Sequence, residues 1–298
     1  MTVEAIAVDG RTYRVEVQRR VQQPETAPRL AVVAYQPNPT ARQVLEVCLE
    51  SIEKMTASPY ELWVIDNHSP AENTAWLLER PGINLIINHT EPVYPAGRDL
   101  LIWLKVRLRG QKRHPYTASY ANAIALELAV RLISPQSHSL MPLHMDTLAC
   151  HPGWLDFLKG KLDDGYAAAG VRRANQHSPE ETLHVLGYLV NFQLFRAMQL
   201  DFLPRLPRYD AGDLVTVRLK QAGERIYTCR NTLWEPELEQ NIPASSPLRD
   251  FHVDRAFDDA GSVIFLHLGR GIRKALNIHG RGVTAEEWVT FARKHLLR

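Results

Sequence analysis

The run Leu140-Met-Pro-Leu-His-Met-Asp146 puts a histidine and a carboxylate two positions apart at the end of an apolar segment, shortly before His151-Pro-Gly-Trp154. A strand buried on both faces reads as a short continuous hydrophobic stretch, and open α/β sheets place ligands just beyond the carboxyl ends of such strands. Asp146 is thereby a candidate for metal or phosphate chemistry. The same spacing also fits a loop residue that caps the next turn, so the neighbouring elements have to decide between the two readings.

Those elements alternate. Residues 3–20 alternate apolar and polar about Asp9-Gly10, a two-residue hairpin signal. Residues 22–28, with two prolines and no periodicity, read as a linker. Leu30 to Tyr35 is a buried-type strand, broken at Pro37-Asn-Pro39. Thr40 with Gln43 reads as a capping box for a helix carrying Val44, Leu45, Cys48, Leu49, Ile52 and Met55. A second strand, Glu61 to Ile65, ends in Asp66-Asn-His-Ser-Pro70. A helix over 71–80 and a third strand, Asn84 to Ile87, follow. Strand, helix, strand, helix, strand implies right-handed crossovers and a parallel sheet, whose strand ends share one edge. Tyr35, Asp66 and Asp146 should therefore face one crevice. A helix over 120–133, N-capped by Ser119 and stopped by Pro135, leads into the Asp146 strand. Later come a helix from Asp210 to Gly223, a strand Ser262 to Leu268, the cationic glycine loop Gly269 to Lys274, and a last helix capped by Thr284 and Glu287.

Composition bounds the function. The 298 residues are 45% hydrophobic and 23% charged, as in an ordinary globular protein, with no apolar run long enough to span a bilayer. Thirty-five Lys and Arg against 33 Asp and Glu give a net charge of +2, so there is no global case for nucleic-acid binding. Cys48, Cys150 and Cys229 are widely spaced with no C-x-x-C, which argues against a disulfide framework or a zinc knuckle. The opening residues have neither the basic nor the apolar region of a signal peptide, and the expected localisation is cytoplasmic.

The order of these motifs resembles the nucleotide-sugar glycosyltransferases of the GT-A fold, family 2 type. The residues that carry the resemblance are Tyr35-Gln36, Asp66-Asn-His-Ser69, Ala121-Asn122, His144-Met-Asp146 with Pro152-Gly-Trp154, Asp210 or Asp213 with Arg218-Leu-Lys-Gln-Ala-Gly223, and His267-Leu-Gly-Arg-Gly271. It covers about residues 29–271. The resemblance implies a mixed, mainly parallel α/β sheet flanked by helices, with a hairpin and linker (1–28) before it, an insertion at 92–119 and a helical tail (272–298). It also implies sugar transfer from a nucleoside-diphosphate sugar to a saccharide or lipid-linked acceptor, assisted by Mn2+ or Mg2+ and inverting. Asp146 and His267 are then metal ligands. Tyr35, Asp66, Asn122, His144 and Arg270 line the donor site, and Asp213 or Asp210 is the base. The chain departs from the pattern twice: His144 stands where the family has its first acidic residue, and neither Asp210 nor Asp213 is in the usual register with Arg218.

Residues 98–113 carry Arg98, Lys105, Arg107, Arg109, Lys112 and Arg113 around a bulky apolar face. That is the composition of an interfacial helix in peripheral contact with a membrane, and equally of a core helix with a basic outer face. Two other functions share the fold. One is a nucleotide-sugar binding or scaffold protein without turnover. The other is a sugar-1-phosphate nucleotidyltransferase, which wants a glycine-rich basic loop after its first strand, where this chain has Ala34-Tyr-Gln-Pro-Asn-Pro39.

Overall fold

The structure, a computed structural model, describes residues 2–95, 108, 117–173, 181–206 and 208–298. The hairpin forms as β1 (Thr2–Val8) and β2 (Arg11–Gln18), with Asp9 and Gly10 at φ of 52° and 75°, the mirror-image turn that matches strand twist. Then follow β3 (Arg29–Ala34), α1 (Pro39–Met55), β4 (Glu61–Asn67), α2 (Ala71–Glu79) and β5 (Asn84–Asn88), the alternation the sequence predicts. Next come α3 (Thr117–Leu132), β6 (Ser139–His144), β7 (Thr147–Ala149), α4 (Trp154–Asp163), β8 (Ala168–Arg172) and β9 (Leu183–Asn191). The chain closes with α5 (Phe192–Ala197), α6 (Asp213–Gln221), β10 (Ile226–Asn231), β11 (Asp254–Phe257), β12 (Val263–His267), α7 (Gly271–Ala275) and α8 (Ala285–Phe291).

Twelve strands join in the order β1-β2-β5-β4-β3-β6-β9-β8-β10-β11-β12-β7. The run β5-β4-β3-β6 is parallel, and beyond it β6, β9 and β8 pair antiparallel. The hairpin extends the sheet, because β2 pairs with β5. Both faces are covered, which explains the continuous apolar runs. On one face Leu30, Val32, Leu62 and Val64 pack with α1 and with Trp154 and Trp288; on the other Ala31, Trp63, Ile65 and Ile86 pack with α3. The C-terminal helix α8 is part of the first core.

Three helix starts differ from the sequence reading. Asn38, not Thr40, caps α1: its side chain accepts the Ala41 N–H at 2.9 Å, and Pro39 takes the first helical position, where its fixed φ suits it. Ser119 lies inside α3, which is already helical at Thr117. The α6 helix begins at Asp213 behind Gly212, whose φ of 76° is a conformation that glycine adopts without strain.

The proline-rich linker is fixed by one buried cation. Arg29, at the start of β3, donates to the carbonyls of Pro24 (2.9 Å), Ala27 (2.8 Å) and Gln23 (3.1 Å) and to Glu25 (3.0 Å), with Glu61 at 3.6 Å. Glu25 in turn accepts from Ser134 and Ser137, tying the linker to the turn before β6. Arg29→Ala strands these buried acceptors, so unfolding free energy should fall by about 3–5 kcal/mol, lowering Tm by roughly 2–4 °C for each of those. Denaturant titration checks it, and a loss below about 1 kcal/mol would show that the linker is held by other contacts.

Candidate cation and nucleotide site

Strand register assembles the site. In the parallel half Ala34 lies beside Asp66 and Val33 beside His144, so the ends of β3, β4 and β6 form one edge. In the antiparallel half β12 lies between β7 and β11, with His267 opposite Thr147 on one side and Asp254 on the other. His267 is thus delivered next to the residue that follows Asp146. His144, Asp146 and His267 each offer a ligand atom within 4.8 Å of the others, the one such group among the described residues.

Asp146 is 6% exposed, and its two oxygens have separate tasks. Oδ2 accepts the Gly271 N–H at 2.9 Å; Oδ1 lies 3.6 Å from His267 Nε2 and 3.9 Å from His144 Nδ1. Gly271 has to be glycine: a Cβ there would fall 2.6 Å from Asp146 Cβ and 2.7 Å from Oδ2. Burial works against the Asp146 charge, yet His267, His144 and the Gly271 N–H together hold its carboxyl below the ordinary range. Burial likewise opposes a charged His267, but Asp146 and Asp254 outweigh it and raise its pKa. His144 goes the other way: dehydration pushes it down to about 4, helped by His267 and opposed by Asp146.

Each imidazole is held from behind. Asp254 Oδ2 lies 3.4 Å from His267 Nδ1, so a proton on Nδ1 directs the Nε2 lone pair toward Asp146. Asn122 Nδ2 lies 3.2 Å from His144 Nε2 and donates to it, which puts the proton of the neutral ring on Nδ1; turning the amide over presents its carbonyl to Nε2–H and frees Nδ1 for a cation. Two imidazole nitrogens and one carboxylate oxygen fit a borderline divalent cation. Mg2+, which prefers oxygen ligands in a strict octahedron, fits less well.

The remaining predicted residues fall around this centre. Tyr35 is 37% exposed at the end of β3, with its N–H 3.4 Å from Met145 Sδ. Asp66 is fully buried and points inward, accepting from Ser69 Oγ (2.6 Å), Ser69 N–H (3.2 Å) and Gln36 Nε2 (3.1 Å). Burial raises its pKa against those bonds. It organises the turn after β4 and offers no free oxygen to a nucleotide base. Arg270 is exposed at φ 58°, with its guanidinium 3.3 Å from His279 Nδ1. Lys274 donates to the Leu268 carbonyl at 2.9 Å, and burial lowers its pKa.

The two acidic candidates, Asp210 before α6 and Asp213 at its start, are joined by Arg173. Asp213, with no exposed surface, accepts from Arg173 (2.7 Å), Thr182 (3.2 Å) and the Asp210 N–H (2.8 Å). It is not presented to the cleft. The Asp210 side chain is 25% exposed and pairs with the other Arg173 nitrogen. The antiparallel half also brings in His184, whose ring centroid lies 5.4 Å from that of His144 and 6.0 Å from that of His267. His184, Asp254 and Arg173 carry no motif in the sequence. They reach the site only through pairings of β8, β9 and β11.

The sequence matches no protein-family model and no curated protein. Solved structures do align with it. The galactosyltransferase LgtC, in complex with donor and acceptor sugar analogues, is 13% identical over 90% of this chain and 96% of that one, with a TM-score of 0.48. The mannosyltransferase PcManGT from Pyrobaculum calidifontis, in complex with GDP-Man and Mn2+, is 16% identical over 67% of this chain at a TM-score of 0.45. This chain spans 54% of that protein's length. A 4-diphosphocytidyl-2C-methyl-D-erythritol synthase from Anaerococcus prevotii is 9% identical over 69% of this chain and 89% of that one, with a TM-score of 0.42. The 98–113 stretch lies, Leu108 apart, outside the described residues, and among those described no helix is long and apolar enough to cross a membrane.

The arrangement makes a binding prediction. Mn2+ titration followed by electron paramagnetic resonance should show binding lost in Asp146→Asn, and weakened roughly 10- to 100-fold in Asp254→Asn and Gly271→Ala. Undiminished binding in Gly271→Ala would mean that the backbone bond does not place the carboxylate.

Proposed function

We propose that this chain is an enzyme that transfers a sugar from a nucleoside-diphosphate sugar to a hydroxyl of a saccharide or lipid-linked acceptor, with inversion and with help from Mn2+ or a similar cation. The observation that carries the reading is the convergence of His144, Asp146 and His267 at the carboxyl edge of the parallel strands, beside the cations Arg270 and Lys274. Diphosphate is the chemistry such an edge accommodates, since the leaving group gains negative charge as its bond to the sugar breaks. A cation bound by the three ligands would neutralise part of that charge.

The protein's own groups do the rest. The edge made by Tyr35 and the turn that Asp66 braces takes the nucleoside. Arg270, exposed next to Gly271, contacts phosphate, and Lys274 supplies positive charge from behind. The acceptor oxygen attacks the anomeric carbon, the bond from that carbon to the phosphate oxygen breaks, and the nucleoside diphosphate leaves with the electron pair. The acceptor proton passes to a carboxylate. Asp210 is assigned this role over Asp213 because it alone of the two keeps exposed surface.

The pairing of both carboxylates with Arg173 favours a second reading, a nucleotide-sugar binding protein with little turnover, because an arginine-paired carboxylate is a weak base. A nucleotidyltransferase lacks comparable support: the β3–α1 connection contains neither glycine nor cation. Sugar-nucleotide turnover over a panel of UDP- and GDP-sugars separates the first two. Stimulation by Mn2+, its loss with chelator, and a 10²- to 10⁴-fold fall in kcat in Asp210→Asn with donor binding intact are expected. Binding without metal-stimulated turnover across the panel would support the second reading, and an unchanged kcat in Asp210→Asn would place the base elsewhere.

A further inference from the structure

Beside His267, residues of β8 to β12 and of the turn after β10 line an open recess of about 90 Å³. Leu186 and Phe265 form an apolar wall, His184, Asn231, Asp254 and His267 contribute polar groups, and Arg172 and Arg255 also belong to the lining. The cavity opens beside the cation triad, because His267 lines it and also faces Asp146.

The polar groups are held in place and have capacity left. His184 Nδ1 accepts the Leu186 N–H at 3.0 Å, so the neutral ring carries its proton on Nε2. That nitrogen has no partner among the described residues. The same proton keeps His184 out of cation coordination and makes it a donor. Asn231 Oδ1 accepts the N–H groups of Leu233 and Trp234, each at 3.2 Å, which leaves its Nδ2 hydrogens without a partner among the described residues. Asp254 turns Oδ2 toward His267, and its side chain is 44% exposed.

Two kinds of donor, one carboxylate acceptor and an apolar wall suit a ring that carries hydroxyls on its edge and C–H groups on its face. Phosphate is disfavoured by Asp254, because the two arginines of the lining are already engaged, Arg172 with Glu181 and Arg255 with Glu239 and the Leu248 carbonyl, and an alkyl chain would leave the polar groups dehydrated without partners. We propose that this cavity is a saccharide subsite in which His184 and Asn231 grip ring hydroxyls. The proposal rests on the transfer reading for its biological context, and the sugar belongs either to the donor or to the end of the acceptor.

The test uses the full chain labelled with 15N-histidine, with imidazole resonances followed while UDP, GDP, UDP-glucose, UDP-galactose, GDP-mannose, and free glucose, galactose and mannose are added. His184→Phe removes the donor while keeping a ring, and Asn231→Asp keeps the backbone-capping oxygen while removing the Nδ2 donor; Mn2+ binding in both should equal wild type if they are folded. The expected result is a shift of the His184 Nε2 signal with a sugar-bearing ligand and none with UDP or GDP. If the donor sugar sits here, each variant weakens sugar-nucleotide binding roughly tenfold and leaves UDP and GDP binding unchanged. If the acceptor sits here, free-sugar binding falls instead. A static His184 signal, with both variants binding every probe as wild type does, overturns the subsite and leaves transfer standing. Free sugars that move His184 in a chain that binds no nucleotide uphold the subsite and overturn transfer.

Discussion

One carboxylate, Asp146, is the point on which the two halves of the molecule meet. It follows the last parallel strand, its Oδ2 is fixed by a backbone N–H from the start of α7, and its Oδ1 faces two histidines from different strands. A carboxylate with so little exposure is costly unless hydrogen-bonded and paired. The Gly271 N–H and the imidazoles supply those partners, and the tight approach of α7 requires a residue without a side chain. The same geometry leaves one oxygen facing outward among nitrogen donors, so what makes the fold tolerable there also makes a place for a cation.

The parallel and antiparallel halves divide the labour. β3, β4 and β6 give a common edge with a buried turn behind it, in which Asp66, Ser69 and Gln36 satisfy one another. β9 to β12 bring histidines, an amide and a carboxylate whose spare bonds face a recess. Arg173 pairs with Asp210 and with Asp213, and its charge balances two acids that would otherwise repel.

Much of this was legible in the sequence, for identifiable reasons. Strands buried on both faces announce themselves as apolar runs, and their carboxyl ends mark a crevice, so His144, Asp146 and the turn at Asp66 could be placed on one edge without coordinates. His267 entered only through the resemblance, as the late histidine of His267-Leu-Gly-Arg-Gly271. What could not be read depends on long-range pairing: Asp254 becomes the partner of His267 only through the β11–β12 register, and His184 reaches the histidine cluster only through β9. The inward turn of Asp66 and the burial of Asp213 have the same origin, since Gln36 and Arg173 lie far from them in the chain. Local patterns were misleading where two caps competed, as at Asn38 and Thr40, because Pro39 settles which residue stands outside the helix.

The central claim is that three side chains from separate strands and turns share one cation. Anomalous diffraction recorded at the manganese edge from crystals soaked in Mn2+ addresses it directly. The account predicts one strong peak within bonding distance of Asp146 Oδ1, His144 Nδ1 and His267 Nε2. Manganese bound elsewhere on the protein, with none between these three residues, would contradict it.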